Sequence, residues 1–185
     1  MNPIIYVILG IIAILVLWVI GTYNGFIGSK NKVDEAFSTM DIVMKKRYDL
    51  IPNIVETVKG YAKHESETLE QVISARAKAV SSGSVEERLE AEQGLSGALG
   101  RLMAISESYP NLKADTNFLD LQNQLKNMEG EIASSRKYYN AVVKEYNVKV
   151  ERIPSNIIAG IFGFKKRPLF ELSSEAEREN VQVTF

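Results

Sequence analysis

The residues best suited to chemistry are few. The chain has one histidine, His64, and no cysteine. His64-Glu65 begins like the zinc-protease pattern, in which two histidines one helical turn apart hold the metal and the glutamate acts as base. Position 68 is Thr68, so the second ligand is missing. A single histidine gives no basis for a Ser-His-Asp arrangement, and the bland alternative is a solvated histidine on a turn. The lack of cysteine excludes disulfides, thiol catalysis, thiolate metal sites and a lipidated cysteine. It fits a reducing compartment without establishing one. No catalytic residue, cofactor site or metal ligand is expected.

Two polar or small-residue patterns remain. Gly94, Gly97 and Gly100 recur every three residues. With no preceding strand and no following Lys-Ser/Thr pair, they suit close helix packing rather than a phosphate loop. Arg47, Arg76, Glu92, Arg101, Glu129, Arg136, Asn140 and Asn147 fall on or beside apolar helix seams. Buried polar pairs can fix helix register. A ligand or di-metal site is the sharper alternative, but di-iron bundles use a Glu-x-x-His pair on each of two helices, and the chain has none.

The elements that position these residues follow from hydrophobic periodicity. Residues 4–20 are apolar apart from one glycine, and the apolar run extends to Ile27 with Thr22, Tyr23 and Asn24 interrupting. About 20 such residues cross a bilayer. A cleaved signal peptide would carry a basic start and a small-residue cleavage site. No Lys or Arg precedes this run, so residues 1–27 are read as a transmembrane anchor. Basic residues Lys30, Lys32, Lys45, Lys46 and Arg47 all follow it. The positive-inside tendency then places the N-terminus outside and the body in the cytoplasm of a bacterial-type cell. Gly21, Gly25 and Gly28 share one face at the inner end, where small residues let transmembrane helices approach. They are the candidate contact for self-association.

Beyond the anchor, Val33, Phe37, Met40, Met44, Ile51, Ile54, Val58 and Tyr61 form one seam, with Arg47 in its gap. The seam keeps phase across Pro52, which predicts one kinked helix over 28–61; a break with Asp49 capping a new helix is the rival. A second helix is predicted over 65–80, with Leu69, Val72, Ile73 and Val80 inward. Ser84 and Glu87 form a capping box for a third helix carrying Leu89, Leu95, Leu99, Leu102 and Ile105. It stops at Tyr109-Pro110-Asn111. Phe118, Leu121, Leu125, Met128, Ile132, Tyr139, Val143, Tyr146 and Val150 hold a coiled-coil-like seven-residue period. The predicted fold is all-α: a transmembrane helix followed by an elongated up-and-down antiparallel four-helix bundle over 28–153.

Residues 154–185 make a third region. An apolar, Gly-bearing stretch leads to Lys165-Lys166-Arg167, then an acidic tail, then alternating Val181, Val183 and Phe185. An even number of helices returns this basic run to the membrane side. There each cation near anionic lipid contributes about 1 kcal/mol. The apolar stretch also suits a plug for the base of the bundle. The alternating tail could pair with a neighbouring subunit as a strand, or fray as chain ends do.

Several strings resemble the LemA family of bacterial membrane proteins. They include Lys46-Arg47-Tyr48-Asp49-Leu50-Ile51-Pro52-Asn53, Gly60-Tyr61-Ala62-Lys63-His64-Glu65, Leu95-Ser96-Gly97-Ala98-Leu99-Gly100-Arg101-Leu102 and Tyr109-Pro110-Asn111-Leu112-Lys113. Tyr138-Tyr139-Asn140, Pro154-Ser155-Asn156 and Gly163-Phe164-Lys165 continue the likeness in order. The resemblance implies a single-pass anchor, an antiparallel four-helix bundle and no established enzymatic activity. The expected function is a non-enzymatic membrane scaffold that self-assembles as a homo-oligomer, with membrane lipid as a partner. An accessory factor for an unknown membrane enzyme or signalling protein is the alternative, and a hydrolase is a remote third. The net charge of −1 offers no field for nucleic acid.

Overall fold

A computed structural model describes residues 3–170. Among these, the elements are α1 (Pro3–Tyr61), α2 (Ser66–Ser81), α3 (Val85–Ser106), α4 (Pro110–Lys113), α5 (Thr116–Glu151) and α6 (Ser155–Phe162), with no strand. The acidic tail and Val181, Val183 and Phe185 lie outside the described residues. The chain divides into two compact units. The first takes 3–43 and 131–169; the second takes 44–130 together with Phe170.

The apolar run and the first seam belong to one helix. α1 continues through residue 28 without a break, where a separate start was expected, and it continues through Pro52. Pro52 lacks an N–H and costs one intrahelical bond, but its side chain is exposed and the seam keeps its phase on either side. Val33, Met40, Met44, Ile51, Ile54 and Val58 are buried, and Arg47 is buried among them. Tyr61 departs from the seam. It is exposed, and its hydroxyl donates to Asp115 Oδ2 at 2.8 Å, while Ala62 takes the buried position. The phenol is amphipathic, so its polar end can reach water and Asp115 where an aliphatic side chain would stay inside.

In the first unit α1 and α5 run antiparallel. Phe37 meets Tyr139 at a ring separation of 5.8 Å, Phe26 meets Tyr146 at 6.4 Å, and Lys149 Nζ donates to Ser29 Oγ at 2.5 Å. α5 carries the expected heptad seam, with Phe118, Leu125, Ile132, Tyr139, Val143 and Tyr146 all buried. The short α6 is an element that periodicity over so few residues did not reveal. It ends at Gly163, whose φ of 72° is the left-handed conformation that a glycine adopts without Cβ strain. The Phe164 N–H then donates to the Ala159 carbonyl at 2.9 Å. This turn sends Phe164 back onto Phe26, stacked at 4.7 Å. The following strap is held by α5. The Tyr139 hydroxyl donates to the Pro168 carbonyl at 3.0 Å, and Asn147 exchanges two hydrogen bonds with the Arg167 backbone at 2.8 and 2.9 Å.

In the second unit α2 and α3 form a hairpin. The expected capping box is present: Glu87 N–H donates to Ser84 Oγ at 3.1 Å, and Ser84 N–H donates to Glu87 Oε2 at 3.2 Å. Two expectations about these helices fail. Ile73 and Val80 are exposed, and the inward row is Leu69, Val72 and Ala79. A narrow stripe at spacings of three and seven lets the helices approach with Ala79 at the contact, so the bulkier neighbours turn outward. Gly94, Gly97 and Gly100 do not mediate close packing; a Cβ at each would meet no atom within 4 Å. They lie on the outer side of α3, where Gly94 and Gly97 line an open groove with Glu67, Gln71 and Arg101. The Tyr109-Pro110-Asn111 stop also begins the one-turn α4, which buries Leu112. Asp115 then accepts from the Phe118 N–H at 2.9 Å, starting α5.

The outward turn of Ile73 gives a direct prediction. Val72→Ala should lower unfolding free energy by about 2 kcal/mol, from two buried carbons plus a cavity. Ile73→Ala should stay within about 0.5 kcal/mol of the parent. Guanidinium unfolding of the full chain in mild detergent, followed by helical circular dichroism, measures both. The reverse order would contradict this register.

Candidate functional site

Of the polar seam residues, the fold gathers Glu92 and Glu129 around Arg47, with Arg76 close by on the Tyr48 backbone. Arg47 sits on α1 in the second unit and is 1% exposed. Its Nη2 donates to Glu92 of α3, itself buried. Its Nη1 donates to Glu129 of α5 at 2.5 Å and lies 3.5 Å from Ser96 Oγ. Nε has no hydrogen-bond partner among the described residues. The Tyr48 hydroxyl donates to the other Glu92 oxygen. Burial, then that hydrogen bond, pushes the Tyr48 phenol above its ordinary range. Arg76 of α2 donates from Nε to the Tyr48 carbonyl at 2.7 Å.

This cluster joins segments of α1, α2, α3 and α5 within the second unit. Its physics is that of a charge removed from water. An unpaired guanidinium here would cost several kcal/mol, and two carboxylates on different helices offset that cost only while the helices hold their register. Tyr48 was not singled out by periodicity, because it lies one residue off the seam. A buried tyrosine beside a buried arginine has to find an acceptor, and Glu92 is that acceptor. The other polar candidates lie apart. Arg101 reaches Gln71 at 3.3 Å, Asn147 holds the Arg167 backbone, and Arg136 and Asn140 line an open groove with Lys137 and Lys144. His64 is exposed on the turn after α1. Among the described residues no three His, Asp or Glu side chains converge as metal ligands would.

The second candidate site lies in the first unit, beside the apolar stretch. α1 has one segment long and apolar enough to cross a membrane, and none of it is buried. Just past it, Tyr23 contacts Phe162 at 4.8 Å and Phe164 at 5.8 Å. Phe26, Tyr146 and Phe164 complete this aromatic group, where Phe26 and Tyr146 are buried. The basic run follows it. Lys165 makes no ion pair among the described residues; Lys166 pairs with Glu151 at 2.5 Å and Arg167 with Asp34 at 3.4 Å. All three are exposed. Gly21, Gly25 and Gly28 also face open space, with nothing within 4 Å of a Cβ at any of them.

The Arg47 cluster is testable as a unit. Arg47→Leu should cost about 3–5 kcal/mol, because Glu92 is left buried without its partner. Arg47→Leu combined with Glu92→Leu should recover part of that loss, since no buried charge is left without a partner, although the Tyr48 hydroxyl loses its acceptor. Denaturant unfolding of the two single variants and the double variant closes the cycle. An Arg47→Leu loss under about 0.5 kcal/mol would show that the cluster does not hold the helices.

Residues 36–185 match the LemA family. Two magnetosome proteins named MamQ, from Paramagnetospirillum magneticum and Magnetospirillum gryphiswaldense, are each 26% identical to the chain. Each alignment covers 80% of this chain and 64% of the relative, so the chain spans less than two thirds of the length of these relatives. A protein named LemA from Metamycoplasma hominis is also 26% identical, over 89% of this chain and 75% of its own length. With a match that covers most of its length, including the Arg47 cluster, α6 and the basic run, the chain belongs to the LemA family.

Proposed function

We propose that the chain is a non-enzymatic, membrane-anchored helical scaffold that self-assembles at the bacterial cytoplasmic membrane. One observation carries this: α1 leads from a fully exposed apolar segment into a buried body seam without a break. Apolar surface of that extent is stable in lipid, and a helix satisfies its own backbone there. The body transmits no obvious chemistry. The polar side chains that the fold does gather pair with one another: buried Arg47 with buried Glu92 and with the half-exposed Glu129.

The proposed organisation is an anchor over 1–27, an up-and-down antiparallel four-helix bundle of α1, α2, α3 and α5 over 28–153, and a C-terminal region over 154–185. Gly21, Gly25 and Gly28 form the transmembrane contact between copies, because their shared face is open. Lys165 and its neighbours Lys166 and Arg167 meet anionic headgroups, with the carboxylates of Glu151 and Asp34 tempering the last two.

Mass measurement in lipid nanodiscs tests the scaffold. The parent should run as a homo-oligomer, and Gly21→Ile with Gly25→Ile should reduce its mass. A parent that stays monomeric at every concentration overturns the scaffold and favours an accessory factor for another membrane protein.

Orientation is a separate proposal, resting on the basic residues Lys30, Lys32, Lys45 and Lys46 after the apolar segment. It places the body in the cytoplasm. A reporter that is active only outside the cytoplasmic membrane, fused after Phe185, should stay silent; activity would reverse the topology.

A further inference from the structure

The eight residues of α6 read Ser-Asn-Ile-Ile-Ala-Gly-Ile-Phe, with no charge among them. A surface helix of a water-soluble domain buries one apolar stripe and turns a polar face outward. α6 does the first and not the second. Ile158 and Ala159 are buried. On the other face Ile157 is 57% exposed and Ile161, one turn on, is 69% exposed. Phe162 is 49% exposed at the end of the helix, and Ile153 just before it is 77% exposed. From Ile157 to Phe162 the helix carries no polar side chain, so its outward face calls for an apolar medium as its inward face does.

Its position identifies that medium. Phe162 and Phe164 both contact Tyr23 of α1. Twenty residues, Ile4 through Tyr23, rise about 30 Å as a helix, which is the thickness of the hydrocarbon core. Tyr23 therefore falls at the hydrocarbon boundary, where aromatic side chains collect. The ring contacts hold α6 at that same depth. Arg152, Lys165 and Lys166 flank it and are exposed. A short apolar helix with cations at its ends, at headgroup level, has the chemistry of an interfacial helix.

We propose that α6 lies in the membrane interface, with Ile157 and Ile161 inserted at the boundary between headgroups and acyl chains. This rests on α1 being the anchor and goes beyond it. The bilayer is then gripped at two places in the first unit, by the span and by α6 beside it. Insertion of two isoleucines adds to membrane affinity and, more to the point, limits the tilt of the first unit against the bilayer.

The absence of cysteine makes the test clean, since each introduced thiol labels uniquely. Single variants Ile157→Cys, Ile161→Cys, Leu15→Cys and Glu70→Cys of the full chain are labelled with a small environment-sensitive fluorophore. They are placed in vesicles of equal phosphatidylglycerol and phosphatidylcholine. Quenching is measured with iodide in water and with spin labels on the lipid acyl chain, carried near its head for the labels at 157, 161 and 70 and near its end for the label at 15. Labels at 157 and 161 should be quenched severalfold more by the lipid probe than the label at 70, and severalfold less by iodide. Iodide quenching equal to that at 70 overturns the proposal. Protection from both probes also overturns it, because protein rather than lipid would then cover α6. The label at 15 separates the two levels of inference. If it is lipid-quenched while 157 and 161 are not, the anchor stands and the interfacial helix falls. If it is not lipid-quenched, the anchor itself fails and α6 fails with it.

Discussion

The continuity of one helix, α1, constrains this protein more than any side-chain contact. A chain segment that lies in lipid must pair every N–H and C=O within itself, and a helix is the way a single segment does so. α1 obeys that demand over its exposed apolar part and then continues as the same helix into the protein interior. The direction and phase of the first body seam are thereby inherited from the apolar segment. Val33, Met40 and Met44 face inward because they lie at helical spacing along a helix that began at Pro3. Even Pro52 yields to this constraint. One missing N–H is a smaller loss than the buried contacts of Ile51, Ile54 and Val58, which depend on continuing in phase.

The two units solve different problems with the same long helices. The first pairs a segment of α1 with the end of α5 through aromatic rings, then closes on itself with α6 and the strap. Its interior is apolar, and its specific polar bonds run to the strap backbone through Asn147 and Tyr139. The second unit places a charge in its core. Arg47 occupies a position that an apolar residue would fill without penalty, and it draws in Glu92, Glu129, Ser96 and Tyr48. An apolar core tolerates sliding and rotation of helices; a guanidinium with acceptors on two other helices does not. Such a cluster gives little net stability and a great deal of register.

Much of the organisation was legible in the residues themselves. The apolar run, the seam of α1, the heptads of α5 and the Ser84–Glu87 box are local patterns whose physics acts within one element. Helical spacing decides which residues share a face, and a capping box is satisfied by neighbours three positions apart. The likeness to the LemA family rested on longer strings and added the expected class of fold. Arg47 could be recognised as out of place on its seam, and Glu92 and Glu129 as candidates to meet it.

Which of several possible partners a residue meets is a different matter, since it depends on segments far away in the chain. Val72 and Ile73 are nearly equal in hydrophobicity, and only the approach of α3 turns the first inward and the second out. Gly94, Gly97 and Gly100 have the spacing of a packing face, but the neighbouring helices leave open grooves there instead of closing on it. Tyr48 acquires its role from a carboxylate 44 positions away. α6 was hidden because eight residues hold too little periodicity to declare a helix, and its place beside Tyr23 is set by ring contacts across the fold. The long helices, the apolar segment and the seams of α1 and α5 could be read from residue order, because they follow from short-range geometry along one helix. The tertiary structure alone decided which charges meet, which apolar faces stay bare and where α6 lies, because those are set by how distant helices pack.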